Sequence, residues 1–117
     1  KRNVPLAVSG AFHSPLMQEP AARFARILDT IPFADANPPV VSNATACSST
    51  SGSTLKANLV QQMVSGVRWR ETMDHLASLG IDTVVEIGPG AVLSGLLKRS
   101  LPGIHLRQIN AMADLAP

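Results

Sequence analysis

A single histidine lies where an extended apolar run gives way to a helix pattern. The run spans residues 4–8, and the segment 10–17, GAFHSPLM, places a glycine, a small residue and an aromatic ring before His13. An imidazole can take a proton from a hydroxyl or a thiol near neutral pH, so His13 is well placed to act as a general base. A structural histidine that caps a helix suits the same position, and the residues alone leave both interpretations open.

No nucleophile elsewhere in the sequence matches this base. Cys47 is the only cysteine, and it lies in a polar loop with no positive charge nearby to stabilise a thiolate, so an inert thiol is favoured over a nucleophile. The sequence contains no Gly-x-Ser-x-Gly motif and no cluster of His, Cys, Asp and Glu at metal-ligand spacing, so neither a serine elbow nor a metal site is predicted. The sequence therefore resembles half of an active site.

The other titratable side chains suggest no chemistry of their own. Glu86 falls in the apolar run 83–87 with no partner visible in the sequence, so we do not predict a catalytic carboxylate. His75 and His105 are predicted on the solvent-facing sides of a helix and a strand. The GPG sequence at 88–90 predicts a tight turn at the carboxyl edge of a sheet, which either starts a helix or contacts a ligand, and the helix start is favoured.

Strand and helix periodicities alternate along the chain. Strands are predicted at 4–8, 40–42, 83–87 and 104–109, with a loop or hairpin at 48–53. The helices between them have predicted inward-facing positions at Phe24, Ile27, Leu28 and Ile31; at Leu55, Leu59, Val60, Met63 and Val64; at Trp69, Met73 and Leu76; and at Val92, Leu93, Leu96 and Leu97. Strands separated by helices indicate an α/β fold with a mostly parallel sheet and right-handed crossovers.

Three residues are expected to mark helix ends. Ser14 is expected to cap the first helix, because serine hydroxyls accept hydrogen bonds from the exposed N–H groups of a first turn. Gly66 and Gly80 are expected to end the second and third helices, because glycine tolerates the left-handed backbone that follows many helices.

Composition and charge exclude several classes of function. Aromatic residues make up 3% of the chain, tyrosine is absent and the net charge is only +2, so a nucleic-acid-binding surface is not predicted. No apolar run reaches the length of a membrane span and no signal peptide opens the chain, and a lone cysteine fits a reducing compartment, so the expected location is the cytoplasm. Because a strand pattern begins almost at Lys1, we interpret Lys1 as a cut point inside a longer protein.

Four sequence blocks together resemble one enzyme family. Residues 10–17 resemble the histidine motif of malonyl-CoA:acyl-carrier-protein transacylases and of polyketide-synthase acyltransferase domains. The later blocks keep the family's order, and they are PVVSN at 39–43, LVQQM at 59–63 followed by VRW at 67–69, and EIGPGAVLSGL at 86–96. The resemblance runs end to end and covers the C-terminal part of the family's catalytic domain.

The resemblance implies a particular fold. The chain is expected to be the C-terminal portion of an α/β-hydrolase-like acyltransferase core, with a mostly parallel sheet and flanking helices. Residues 1–8 would form the last strand or the exit of an inserted ferredoxin-like subdomain, and residues 9–117 would belong to the large subdomain. The strands at 40–42 and 83–87 would then pair with strands from the missing part.

The resemblance also implies an activity and its residues. The family transfers a malonyl group from malonyl-CoA to the phosphopantetheine thiol of acyl carrier protein in fatty-acid or polyketide synthesis, without a permanently bound cofactor. His13 matches the general base, and the backbone carbonyl of Gln62 matches the group that orients it. Phe12 matches an aromatic position typical of malonyl-selective members.

The resemblance assigns no residue of this chain to three other parts of the family's active site. The nucleophilic serine, the carboxylate-binding arginine and the oxyanion hole match no residue here, so the chain alone is predicted to be inactive and to need the missing N-terminal part of the enzyme. Arg68 and Arg70 are assigned to the surface around Trp69. The alternative is a non-catalytic module that docks acyl carrier protein or CoA. Its candidate cations are Lys98, Arg99 and Arg107, although solvated surface charges are favoured for them.

Overall fold

The computed structural model describes residues 10–115 of the chain, so the strand predicted at 4–8 lies outside the described residues. The chain divides into two compact units, Lys1–Arg68 and Trp69–Pro117, which are described separately. Among the described residues, no helix is both long enough and apolar enough to cross a membrane.

The first unit consists of two helices and a short hairpin. A 3₁₀ turn at Pro15–Met17 leads into α1, Gln18–Asp29, and the hairpin strands β1, Val40–Val41, and β2, Ser48–Ser49, precede α2, Gly52–Gln62. Pro20 does not interrupt α1, because it lies in the first turn, where a missing N–H costs no helical hydrogen bond.

The apolar face of α1 is narrower than its sequence predicts. Leu28 is buried and Phe24 is half-buried, but Ile27 and Ile31 are 59% and 44% exposed, so the prediction that both face inward is wrong. α1 packs against α2, and that contact covers only one side of the apolar stripe. Periodicity identified the helix but not how much of its surface a neighbour covers.

β1 and β2 correct the expectation of a buried strand in a parallel sheet. They pair antiparallel, with Val40 opposite Ser49 and Val41 opposite Ser48, and Val40 is 46% exposed. A short turn joins them, and a short connection permits only antiparallel pairing. The hairpin prediction for residues 48–53 holds only for Ser48–Ser49, because α2 already begins at Gly52, and β1 reaches only Val41 and pairs within this chain.

Two side-chain hydrogen bonds and a close backbone approach fix the start of α2. The Ser51 side chain accepts a hydrogen bond from the Thr54 N–H, and the Gly52 N–H donates to Asp35 Oδ1 at 2.9 Å. A Cβ on Gly52 would lie 2.4 Å from the Phe33 carbonyl oxygen, so only glycine fits this approach. α2 ends at Gln62 rather than at Gly66 as predicted, because the Met63 and Val64 N–H groups bond three residues back and tighten the last turn.

The second unit is an α/β unit with a parallel pair of strands. α3, Trp69–Ser78, precedes β3, Thr83–Ile87, and α4, Val92–Ser100, connects β3 to β4, His105–Ile109. The strands pair in parallel, with Thr83 opposite His105 and Ile87 opposite Ile109, as predicted for strands joined through a helix. Gly80 has a φ of +71° after α3, which confirms it as the residue that ends this helix.

The core of the second unit lies where α3 packs on α4. Met73 and Leu97 are its fully buried side chains, and both were predicted to face inward. Val92 and Leu93 are 74% and 43% exposed, so their predicted burial is wrong. Both lie in the first turn of α4, where backbone N–H groups face a carboxylate instead of an apolar surface.

That carboxylate is Glu86, and the expectation that it has no partner is wrong. It accepts hydrogen bonds from the Leu93 N–H at 3.1 Å, from the Ser94 N–H at 2.9 Å and from the Ser94 hydroxyl. The Gln108 side chain on the neighbouring strand donates at 3.5 Å. These bonds satisfy N–H groups that the first turn of a helix leaves without partners, so Glu86 fixes the turn at 88–90 between β3 and α4.

The hydrogen bonds to Glu86 predict a pH-dependent stability. Donation from the Ser94 side chain, and then from its backbone, lowers the pKa of Glu86 below its ordinary value. A lowered carboxyl pKa stabilises the fold above the ordinary carboxyl range, and that contribution is lost as the pH falls through the lowered pKa. We expect Glu86→Gln to lower the urea midpoint at pH 7, and the difference from the unsubstituted chain to shrink as the pH falls through the lowered pKa of Glu86.

A control variant separates capping from the mere loss of a carboxylate. Glu19→Gln removes a carboxylate that pairs only with Arg23 at an exposed helix surface, and we expect little change in the urea midpoint. Equal losses of the urea midpoint for the two variants at pH 7 would contradict the assignment of Glu86 as the cap of α4.

Candidate active site

The candidate base and its predicted orienting group are in direct contact. His13 Nδ1 lies 2.8 Å from the backbone carbonyl oxygen of Gln62, although the two residues are 49 positions apart in the chain. A carbonyl oxygen only accepts hydrogen bonds, so the contact requires a proton on Nδ1. In the neutral ring this leaves Nε2 unprotonated, and Nε2 is then the atom able to accept a proton.

The end of α2 explains why this carbonyl is available. The last carbonyl groups of a helix lack partners within the helix, and Gln62 is the final residue of α2. The imidazole therefore satisfies an acceptor that the helix geometry leaves open. Because the acceptor belongs to the backbone, the Gln62 side chain takes no part in the contact.

His13 itself has an unusual backbone conformation. Its φ is +60°, in the left-handed region that side chains other than glycine seldom adopt. Residues in this region cost conformational energy, and such residues cluster at functional sites, although Ala46 in the β1–β2 turn also has a φ of +58°. The ring is exposed, so Nε2 can be reached by a reacting group from outside this unit.

Ser14 does not cap a helix as predicted. The residue precedes the 3₁₀ turn Pro15–Met17, but its side chain makes no capping hydrogen bond. Its hydroxyl instead donates backwards to the Ala11 carbonyl oxygen at 2.6 Å. The prediction failed because a serine hydroxyl can bond to the backbone on either side, and the sequence does not determine which.

Phe12 lies next to the base and is 62% exposed. Its ring covers Gly10 so closely that a Cβ on Gly10 would lie 2.7 Å from Phe12 Cε2. The glycine therefore leaves space for the aromatic ring beside His13. An exposed phenyl ring adjacent to a base is suited to limiting the bulk of whatever approaches that base.

The cysteine and the two other histidines considered in the sequence have surroundings of their own. The Cys47 thiol is exposed and donates to the Thr45 carbonyl oxygen, and Arg68 Nη1 donates to the same carbonyl at 3.1 Å. His105 is exposed, as predicted, whereas His75 is half-buried. In the described part of the chain, 10–115, no three His, Cys, Asp or Glu residues are grouped so as to hold a metal ion.

An apolar cavity of about 290 Å³ adjoins Gln62 on the side of the hairpin. Its walls include Phe33, Val41, Leu55 and Leu59, and its lining does not include His13 or Phe12. Sequence patterns had marked these residues only as core positions or loop.

Two curated proteins align with most of this chain. The chain is 47% identical over 115 residues to the malonyl CoA-acyl carrier protein transacylase of Synechocystis. The alignment covers 98% of this chain and 39% of that protein. It is 44% identical over 99 residues to the enzyme of the same name from Bacillus subtilis. That alignment covers 85% of this chain and 31% of that protein. No protein-family profile matches the chain.

Solved structures agree with the sequence comparison. The crystal structure of the Synechocystis malonyl-CoA:ACP transacylase superposes with a TM-score of 0.91, over 98% of this chain and 39% of that chain. A malonyl-transacylase bound to a type II polyketide-synthase acyl carrier protein superposes with a TM-score of 0.89 at 37% identity, over 98% of this chain and 37% of that chain. The chain thus spans about two fifths of the length of these relatives, and over that span it is similar to malonyl-CoA:acyl-carrier-protein transacylases.

Proposed function

We propose that this chain supplies the general base of an enzyme that transfers a malonyl group from malonyl-CoA to acyl carrier protein, in fatty-acid or polyketide synthesis. The contact between His13 Nδ1 and the Gln62 carbonyl carries the proposal, because it fixes the ring tautomer that such a base needs. The names of the relatives supply the substrate class. One relative was solved with a carrier protein bound, which supports an acyl carrier protein as the acceptor.

In this proposal His13 moves one proton in each of two steps. Nε2 takes the proton of a serine hydroxyl as the serine oxygen bonds to the malonyl carbon, and the thioester C–S bond breaks. The imidazolium returns the proton to the departing CoA sulfur. The carrier thiol then loses its proton to Nε2 and its sulfur bonds to the carbonyl carbon of the malonyl ester. The ester C–O bond to the serine breaks, and the serine oxygen recovers the proton from the ring. The Gln62 carbonyl holds Nδ1–H throughout.

The serine, the carboxylate-binding arginine and the oxyanion hole belong, in this proposal, to a preceding part of the enzyme. The chain would be the C-terminal part of the large α/β subdomain, with residues 1–8 leaving a ferredoxin-like subdomain. The share of the relatives that it spans, 31–39%, supports the proposal that other parts of the enzyme supply these groups. The chemistry needs no bound cofactor, and we expect a cytoplasmic enzyme, as for a protein that acts on soluble thioesters.

Exposed apolar surface also supports a larger enzyme. Ile87 and Met112 are 78% and 81% exposed, and with Leu115 they line an open apolar depression of about 520 Å³ at the carboxyl ends of β3 and β4. A parallel sheet is normally covered on both faces and continued by further strands. We propose that the remainder of the enzyme covers this surface.

A module that docks acyl carrier protein or CoA without chemistry is not favoured. Docking requires neither a histidine in a left-handed turn nor a carbonyl that fixes its tautomer. Two of the cations considered for docking also bond within their own unit, since Arg99 Nε donates to the Gly95 carbonyl and Arg107 Nη2 to the Asp114 carbonyl.

The chain alone is expected to be catalytically silent. A base without its nucleophile and oxyanion hole has lost a unit whose removal typically costs on the order of a millionfold in turnover. Incubation of the purified chain with radiolabelled malonyl-CoA, followed by denaturing electrophoresis, should show no covalent label. A malonyl ester on any serine of this chain, Ser9 and Ser14 included, would contradict the division of the active site proposed here.

In the complete enzyme, His13→Ala should slow formation of the malonyl-enzyme by roughly a hundred- to ten-thousandfold, the usual contribution of a general base. Rapid quench with labelled malonyl-CoA measures this rate, and the affinity for malonyl-CoA should change little. Gln62→Ala should slow the step by less than about tenfold, because the backbone carbonyl survives the substitution.

The matched control for His13→Ala is His105→Ala. His105 is an exposed histidine on β4, and its removal should leave the acylation rate unchanged. If His13→Ala acylated within a factor of a few of the unsubstituted enzyme, His13 would not be the base.

Phe12 is proposed to set the preference for malonyl-CoA over methylmalonyl-CoA. A phenyl ring beside the base leaves no room for a methyl branch on the reacting substrate, and an extra methyl in a packed site costs roughly 1–3 kcal/mol. Phe12→Ser should therefore lower the ratio of kcat/KM for the two esters by about five- to a hundred-and-fifty-fold. Competition between the two CoA esters measures this ratio.

Phe12→Leu is the control for this prediction, because it keeps an apolar side chain of considerable volume at the same position. It should retain most of the preference. An unchanged ratio in a folded Phe12→Ser enzyme would remove Phe12 from the specificity pocket.

A further inference from the structure

The hydroxyl of Ser14 closes a small loop around the candidate base. It donates to the Ala11 carbonyl oxygen at 2.6 Å, so the side chain of Ser14 bonds across Phe12 and His13. On its other side, the Ser14 carbonyl accepts from the Met17 N–H at 3.0 Å, which anchors the residue to the 3₁₀ turn. Ser14 is thereby tied to the backbone both before and after His13.

The loop that Ser14 closes contains the strained residue. His13 has a φ of +60°, whereas Ser14 is extended, with φ of −136° and ψ of 164°. A left-handed residue that is not glycine persists only where its surroundings hold it. The bond from Ser14 to Ala11 spans His13 and is a side-chain bond of the kind that stabilises such turns.

The direction of the His13 ring follows from this backbone. Ring placement depends on the His13 φ as well as on its side-chain torsions, and the observed placement brings Nδ1 to 2.8 Å from the Gln62 carbonyl. If the turn relaxed to an ordinary φ, the Cα–Cβ bond would point elsewhere and the ring would leave that carbonyl. The hydroxyl of Ser14 thus acts on the base through the backbone.

We infer that Ser14 is a positioning residue for the acyl transfer: its hydroxyl holds the left-handed turn that aims His13 at the Gln62 carbonyl. The inference rests on the proposed function, since it assigns Ser14 a role in that reaction. Ser14 touches no reacting atom in this role. It sets the fraction of molecules in which the base has the correct tautomer and direction.

The test uses three variants of Ser14 in the complete enzyme, assayed for malonyl transfer to acyl carrier protein. Ser14→Ala removes the donor, and Ser14→Thr keeps it in a residue that favours extended backbone. Ser14→Val has nearly the shape of Ser14→Thr without the hydroxyl. We expect Ser14→Ala and Ser14→Val to lower kcat roughly three- to tenfold with KM for malonyl-CoA within about twofold, as for the loss of one hydrogen bond. Ser14→Thr should recover kcat to within about twofold.

Ser78→Ala is the matched control. The Ser78 hydroxyl donates at 2.7 Å to the carbonyl of His75, three residues earlier, which is the same local bond that Ser14 makes to Ala11. Its loss should leave kcat unchanged, because no base lies between the two residues. Thermal melts of all variants separate a loss of folded protein from a loss of turnover.

The outcomes distinguish this inference from the function on which it rests. If His13→Ala is inactive but Ser14→Ala keeps full kcat, Ser14 does not position the base and the proposed function stands. If Ser14→Ala does not fold, equal kcat values for Ser14→Thr and Ser14→Val overturn the inference in the same way. If His13→Ala remains active, both proposals fail. A kcat loss in Ser14→Ala and Ser14→Val that Ser14→Thr reverses supports the inference.

Discussion

The hydrogen bond between His13 Nδ1 and the Gln62 carbonyl is the constraint on which the candidate site depends. It joins a loop residue to the last residue of α2 across 49 positions of sequence, so the path of the first unit has to bring these atoms together. The helix end supplies an acceptor that needs a partner, and the left-handed turn at His13 supplies the donor. A neutral carbonyl fixes the tautomer of the ring without placing a second charge beside it.

Carboxylate and serine side chains also hold the starts of α2 and α4. In the second unit, Glu86 reaches from β3 to the first turn of α4, where backbone N–H groups would otherwise lack partners. In the first unit, the Asp35 carboxylate and the Ser51 hydroxyl hold the start of α2. Short polar contacts thus set the ends of the elements, while a small apolar core, with Met73 and Leu97 at its centre in the second unit, sets their packing.

Local sequence predicted the elements well where they depend on nearby residues. The strand at 83–87 and the burial of Met73 were predicted correctly, because both follow from periodicity and from the glycines that bound each element. Burial failed at Ile27 and Val92, because it depends on which surfaces meet, and periodicity does not contain that information. The prediction of parallel pairing failed for β1, because it was drawn from the alternation of strands and helices and did not consider the short connection to β2.

For the site, the sequence supplied the residue types and the resemblance supplied their roles. His13, Phe12 and Gln62 were identified before any geometry, but nothing in the residues predicted a φ of +60° at His13 or the backward bond of Ser14. The partner of Glu86 was equally hidden, because Ser94 lies eight residues away across a turn. Side-chain contacts across turns depend on backbone geometry that propensities do not determine.

Nitrogen-15 NMR of the histidine rings tests the central claim most directly. In protein labelled at histidine, the signals of His13 are those lost in His13→Gln, and they are recorded at alkaline pH, where an imidazole is neutral. The account predicts a protonated Nδ1 and a bare Nε2 at His13, since Nδ1–H donates to the Gln62 carbonyl. A His13 ring protonated at Nε2 and bare at Nδ1 would contradict it, because Nδ1 could then not donate to the Gln62 carbonyl and Nε2 could not accept a proton from a nucleophile.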